Sequence, residues 1–116
     1  MSTFEIERAL HSLEGNEELL KDLASMFVED APILLGQIDA ALKDDNSVLA
    51  RSAVHSLKGL VSTFYVASGV EIAQRLEDCA ARGKLDDFRN GDLQRLEECV
   101  HSVASDFRAR GWVGRI

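Results

Sequence analysis

From Leu19 to Leu42 apolar residues recur every three or four positions, and the row does not slip across Pro32, the only proline in the chain. Leu19, Leu20, Leu23, Met26, Phe27, Ala31, Leu34, Leu35, Ile38, Ala41 and Leu42 then share one face of a single long helix, and a stripe of that length demands other helices or a sheet to cover it. Nothing in the chain reads as a sheet, because no segment alternates apolar and polar residues in the β-branched manner of a strand. The long helix opens at Asn16, a good N-cap, with Glu17 and Glu18 where the helix dipole favours negative charge, and runs to about Lys43. Pro32 cannot donate to the carbonyl of Val28, so a kink is expected there rather than a break.

Four further helices are expected. The first spans about 3–13, with Ser2 and Glu5 as a capping box and Gly15 as a left-handed stop. A turn at Asp44-Asp45-Asn46-Ser47 opens a helix over about 46–64, whose apolar face carries Leu49, Ala53, Leu57, Leu60 and Phe64. Ser68 and Glu71 form another capping box with Ala67 and Ile72 at the staple positions, and that helix buries Ile72, Ala73, Leu76, Cys79 and Ala80 and runs to about Arg82, before Gly83. The last begins at about 87 or 92 and ends near 109, with Leu93, Leu96, Val100, Val103, Ala104 and Phe107 inward. Short connections between helices of this length favour antiparallel neighbours. The expectation is an all-α, up-down antiparallel four-helix bundle with the short N-terminal helix across one end. A chain of 116 residues is enough for one such domain over 1–116, with 111–116 as a tail whose Trp112 folds back on the bundle.

Composition narrows the function. A formal net charge of −7 disfavours nucleic acid and anionic membrane surfaces, leaving proteins as the expected partners. No segment reaches the roughly 20 apolar residues of a membrane span, and the N-terminus has neither a basic leader nor a signal-length apolar stretch, so a cytoplasmic location is expected. Cys79 and Cys99 lack the close spacing of a redox or zinc pair and read as buried free thiols in a monomer.

One residue resists a packing explanation. At roughly 100° per helical residue, His55 points about 160° away from the apolar face of its helix. Arg51 lies one turn before it, Lys58 and Gly59 one turn after, and Ser62 two turns after. A neutral imidazole is a competent nucleophile toward phosphorus, and adding a phosphoryl group places nearly two negative charges on the ring, which Lys58 and Arg51 would stabilise. Glycine in mid-helix costs about 1 kcal/mol relative to alanine, so Gly59 on an exposed face suggests that a second protein approaches closely there.

The run His55-Ser56-Leu57-Lys58-Gly59 resembles the signature of histidine-containing phosphotransfer (Hpt) domains. The resemblance extends from Phe27-Val28-Glu29-Asp30-Ala31-Pro32 through the motif to Leu76-Glu77 and Arg82-Gly83. It implies a four-helix bundle whose histidine takes a phosphoryl group from the aspartyl phosphate of a response-regulator receiver domain, or through a sensor or hybrid histidine kinase, and passes it to another receiver. His55 would then be the phosphorylated residue, acting through its outward ring nitrogen. Lys58 would neutralise charge, and Ser52, Ser56, Gly59, Ser62 and Thr63 would meet the docked partner. Gln74 and Glu77 both match the position on the following helix that orients the inner ring nitrogen. The resemblance implies a phosphoryl carrier rather than an enzyme, with no cofactor in this chain and Mg2+ in the partner receiver. Where the family favours small residues and then a glycine, this chain has Leu60, Val61 and Tyr65, so the histidine-bearing helix is expected to run on toward Ser68.

Two other readings compete. One is a module of the same fold that docks receivers without accepting phosphate, suggested by the bulky residues after Gly59. The other is a bundle holding a metal or cofactor. Glu98-Cys99-Val100-His101 has the Glu-x-x-His spacing of carboxylate-bridged metal bundles, but such sites need two copies and the chain has one. His11 and His101 have no neighbours like those of His55 and read as ordinary helix residues.

Overall fold

In the computed structural model, which describes residues 5–113, five α-helices follow one another: α1 (Ile6–Ser12), α2 (Glu17–Lys43), α3 (Ser47–Thr63), α4 (Ala67–Ala81) and α5 (Asp92–Ala109). A 3-10 segment, Leu85–Asn90, precedes α5, and there is no strand among the described residues. The four long helices form a closed ring of neighbours, α2 against α3, α3 against α4, α4 against α5 and α5 back against α2. This is the all-α four-helix bundle that the periodicity demands. The short α1 lies across one end, where the Glu5 N–H donates to the Phe64 carbonyl at 3.1 Å and the Arg8 guanidinium sits 4.5 Å above the Tyr65 ring.

Local chemistry explains the element boundaries. Asn16 and Asn46 cap α2 and α3 by accepting from the N–H groups of Leu19 and Leu49, both at 3.0 Å. α2 continues through Pro32 without a break. Each α-helix ends in the same paired reverse hydrogen bonds, which satisfy its last carbonyls around a left-handed residue. At α4 and α5 that residue is Gly83 or Gly111, as steric freedom prefers; at α1, α2 and α3 it is Glu14, Asp45 or Tyr65. Glu14, with φ of 55°, is thus the left-handed stop of α1, one residue before the Gly15 that the sequence suggests. Glu14→Gly should relieve this strain and stabilise the fold by about 0.5–1 kcal/mol, read as a higher urea midpoint with unchanged slope.

Several boundaries and faces differ from those expected. α3 stops at Thr63 instead of running toward Ser68, because Tyr65 itself turns left-handed (φ 56°) while its N–H reaches Ser62 O and that of Val66 reaches Val61 O, both at 3.1 Å. α4 therefore starts at Ala67 with Val66 as N-cap, so Ser68 lies inside the helix and its capping box with Glu71 does not form. Ala67 is exposed, which removes the staple as well. α1 is shorter than 3–13; its N-cap Glu5 makes no side-chain cap, and Ser2 lies outside the described residues. The 3-10 segment and a left-handed Gly91 resolve where the last helix starts, at Asp92.

The core centres on Phe27, Phe64 and Phe107. Phe27 meets Phe64 and Phe107 edge-on at 5.9 and 5.6 Å, and Trp112 folds back on the bundle as expected, stacking on Phe107 at 5.8 Å. Leu57, fully buried, anchors α3 in that core. The buried face of α3 is Ala50, Ala53, Val54, Leu57 and Val61, rotated by roughly half a residue step from the one read in the sequence; Leu49 and Leu60 sit at its edge. Leu19 and Met26 belong to the surface, 40% and 50% exposed, since the apolar arc of α2 is wider than the groove it fills. Cys79 and Cys99 are free thiols, half-buried rather than buried. Burial pushes the Cys99 thiol up, with a hydrogen bond to Ser68 opposing it.

Asp92 is the one buried charged residue among those described, at 8% exposed. Its carboxylate takes Arg75 from α4 at 3.2 Å on each oxygen and Arg95 at 2.9 Å, tying the start of α5 to α4. The bond from Arg75 holds Asp92 below the usual carboxylate range against the opposing effect of burial. Nothing in the local sequence singles out Asp92, whose burial depends on how α4 and α5 meet.

Candidate functional site

α3 turns His55 outward: its side chain is 66% exposed, while its helix neighbours Ala53, Val54 and Leu57 are buried. Across the α3–α4 contact stands Glu77, whose side chain is only 14% exposed. One of its oxygens, Oε2, lies 2.9 Å from His55 Nδ1; the other, Oε1, accepts from Lys58 Nζ at 2.7 Å. The Lys58 hydrogen bond, aided by that of His55, holds the Glu77 carboxyl below its ordinary range despite partial burial. An ionised carboxylate only accepts, so Nδ1 must carry the hydrogen. The neutral ring then bears its free lone pair on Nε2, the nitrogen away from Glu77.

The pair of candidates on α4 is divided between two partners. Glu77 takes His55, whereas Gln74 takes Lys58, accepting from Nζ at 2.9 Å through Oε1. Lys58, 22% exposed, is therefore held by two acceptors beside the imidazole. The Gln74 amide is in turn occupied at its other end, where Nε2 donates to Asp78 Oδ1 at 3.0 Å. Sequence reasoning did not single out Asp78, although its position four residues after Gln74 is the spacing at which helical side chains meet.

The other candidates are dispersed. Arg51 is exposed and, among the described residues, makes no hydrogen bond or ion pair, so the structure does not join it to the His55 cluster. Ser52 and Ser56 are exposed, and Ser56 shares a shallow cleft with Asp30, Ile33, Leu34 and Leu60 on the side of α3 facing α2. Thr63 is half-buried, its hydroxyl donating to the Gly59 carbonyl at 3.0 Å. Ser62 lies on the opposite side of His55, in an apolar-floored cleft with Tyr65, Val70 and Gln74. A Cβ added at Gly59 would meet nothing within 4 Å, so the protein's own packing does not require glycine there.

Exposed apolar residues flank this surface. Ile33 on α2 is 60% exposed and Val48, two turns before His55 on α3, is 80% exposed. Met26 lies on the same row of α2 as Ile33, seven residues before it. Ile33 and Val48 lie outside the apolar faces read from the sequence, whereas Met26 falls within that of α2, because periodicity fixes a helical face only to within the width of its apolar arc.

Among the described residues no three His, Cys, Asp or Glu side chains stand together in a metal-binding group, and no helix is long and apolar enough to cross a membrane. Glu98, the first residue of the Glu-x-x-His spacing, accepts from Gln94 at 3.2 Å. No curated protein and no solved structure gives a significant match to the chain. The family model of the Hpt domain matches residues 22–106, most of the chain and all of α3 and α4. With the bundle and the histidine-bearing helix in place, that match shows that the chain belongs to the Hpt family, whose members serve as phosphocarrier modules in two-component signalling with receiver domains and histidine kinases.

Proposed function

We propose that His55 accepts a phosphoryl group from the aspartyl phosphate of a receiver domain, or through a sensor or hybrid histidine kinase relay, and passes it to another receiver. The supporting observation is the Glu77 carboxylate shared between His55 Nδ1 and Lys58 Nζ. With the proton held on Nδ1, the Nε2 lone pair attacks phosphorus while the bond from phosphorus to the partner's carboxylate oxygen breaks and that carboxylate leaves. The ring gains positive charge in this step, and Glu77 faces it directly. Lys58 offers its remaining N–H to the phosphoryl oxygens. Mg2+ belongs to the acidic site of the receiver, and this chain acts as a cytoplasmic monomer that turns over nothing by itself.

Two of the bulky residues that motivate a docking-only module, Leu60 and Val61, do not crowd the nucleophile. Val61 is fully buried and Leu60 half-buried toward α2, so both are turned away from the exposed ring. Incubation with a phosphorylated receiver should yield acid-labile phosphate on this protein. Receiver binding without transfer would select the docking module instead.

Two variants test individual roles. Lys58→Ala should slow transfer by roughly tenfold or more, the worth of a hydrogen bond to a charged group, and leave the fold intact by circular dichroism. Gly59→Leu has open space to enter and removes the helical cost of glycine, so it should raise stability by about 0.5–1 kcal/mol while weakening receiver docking. Unchanged affinity in a titration would show that no partner approaches there.

A further inference from the structure

Lys58 poses a positioning problem that its contact with Glu77 alone does not solve. A lysine ammonium sits on a flexible four-carbon stem and has three equivalent donors, so one ion pair leaves it free to swing about its partner. The second anchor, Gln74 Oε1, restricts that swing, but a glutamine amide presents an acceptor on one edge and donors on the other and can turn over. Only one orientation suits an ammonium. Asp78 selects it: an exposed, acceptor-only carboxylate one turn along α4 takes Nε2 at 3.0 Å and leaves Oε1 for Lys58. The flipped amide would set Oε1 against the Asp78 carboxylate and its NH2 against the Lys58 ammonium, two repulsive contacts in place of two bonds.

We infer that Asp78 is a positioning residue for phosphotransfer, acting through the Gln74 amide to hold the Lys58 ammonium beside His55 with one N–H unspent. The inference rests on the reading of His55 as phosphoryl acceptor. Asp78 makes no hydrogen bond or ion pair with the imidazole or with Glu77, so its effect has to travel along Asp78–Gln74–Lys58.

The sign of the effect separates positioning from simple charge. Asp78 is an anion near a group that becomes more negative on phosphorylation, so removing its charge should speed acceptance if charge alone matters. Positioning predicts the reverse. Asp78→Asn keeps the shape but presents an amide that can donate as readily as accept, and it should slow transfer from a phosphorylated receiver roughly threefold to tenfold, the worth of one hydrogen bond. Asp78→Glu, which retains an acceptor-only carboxylate, should restore most of the rate. In a Gln74→Met background Asp78→Asn should no longer slow transfer, because the link to Lys58 is already cut. Transfer by the unaltered protein with no slowing in Asp78→Asn, a faster variant, or an equal slowing in the Gln74→Met background would each overturn the inference while leaving the phosphotransfer reading intact. Absence of transfer by the unaltered protein would overturn both.

Discussion

His55→Gln should take up no phosphoryl group from any phosphorylated receiver while keeping the melting curve of the parent protein. Glutamine approximates the span of the inner half of the imidazole and can still donate to Glu77 Oε2, but its amide nitrogen has no basic lone pair to attack phosphorus. The ring is 66% exposed and packs on nothing in the core, so the change in stability should stay within about 0.5 kcal/mol, as for other surface substitutions. Glu77, 14% exposed, also keeps its bond to Lys58 and is not left as an unpaired buried charge. Radiolabel transfer and thermal denaturation measured on one preparation separate the two effects. Residual acid-labile phosphate in the variant would move the acceptor to another residue, with His11 and His101 the remaining histidines.

Phe27→Ala should have the opposite profile, a loss of about 3–5 kcal/mol in stability with the chemistry of His55 untouched in whatever fraction stays folded. Phe27 is fully buried in the middle of α2 and meets two aromatic rings edge-on, Phe64 from the end of α3 and Phe107 from α5. Its removal leaves a cavity where three helices converge, and the edge-to-face contacts add to the loss of apolar burial. A urea midpoint that falls by less than the equivalent of 1 kcal/mol would show that the three rings can close over the gap and that the core is less tightly determined than it looks.

The bundle was readable from the sequence because its signals are local. Period, caps and spacing place α2 and the start of α3 almost to the residue, and Asn16 and Asn46 cap where side-chain chemistry says they should. The outward direction of His55 survives even though the buried face of α3 is rotated, since the ring lies roughly 150° from the face observed and about 160° from the one expected. What the sequence could not carry depends on how elements meet. The end of α3 is one case. A tyrosine is a poor left-handed residue, and it holds that conformation where the Glu5 N–H docks on the neighbouring carbonyl and Arg8 covers its ring. The division of labour between Gln74 and Glu77 is another. Both residues lie on the side of α4 facing the histidine, and only the relative rotation of α3 and α4 decides that Glu77 meets the ring while Gln74 meets Lys58. Asp92 and Asp78 were passed over for different reasons: the burial of one follows from the α4–α5 contact, and the role of the other emerges only once Gln74 has a partner.

Nitrogen-15 labelling of histidine and long-range proton–nitrogen spectra, before and after phosphorylation by a receiver, test whether Glu77 holds the proton on Nδ1 and leaves Nε2 to attack. The free protein should show His55 as the tautomer protonated on Nδ1, and the phosphorylated protein should show phosphorus bonded to Nε2 of His55 alone. A free ring protonated on Nε2, or phosphorus on Nδ1 or on another histidine, would contradict it.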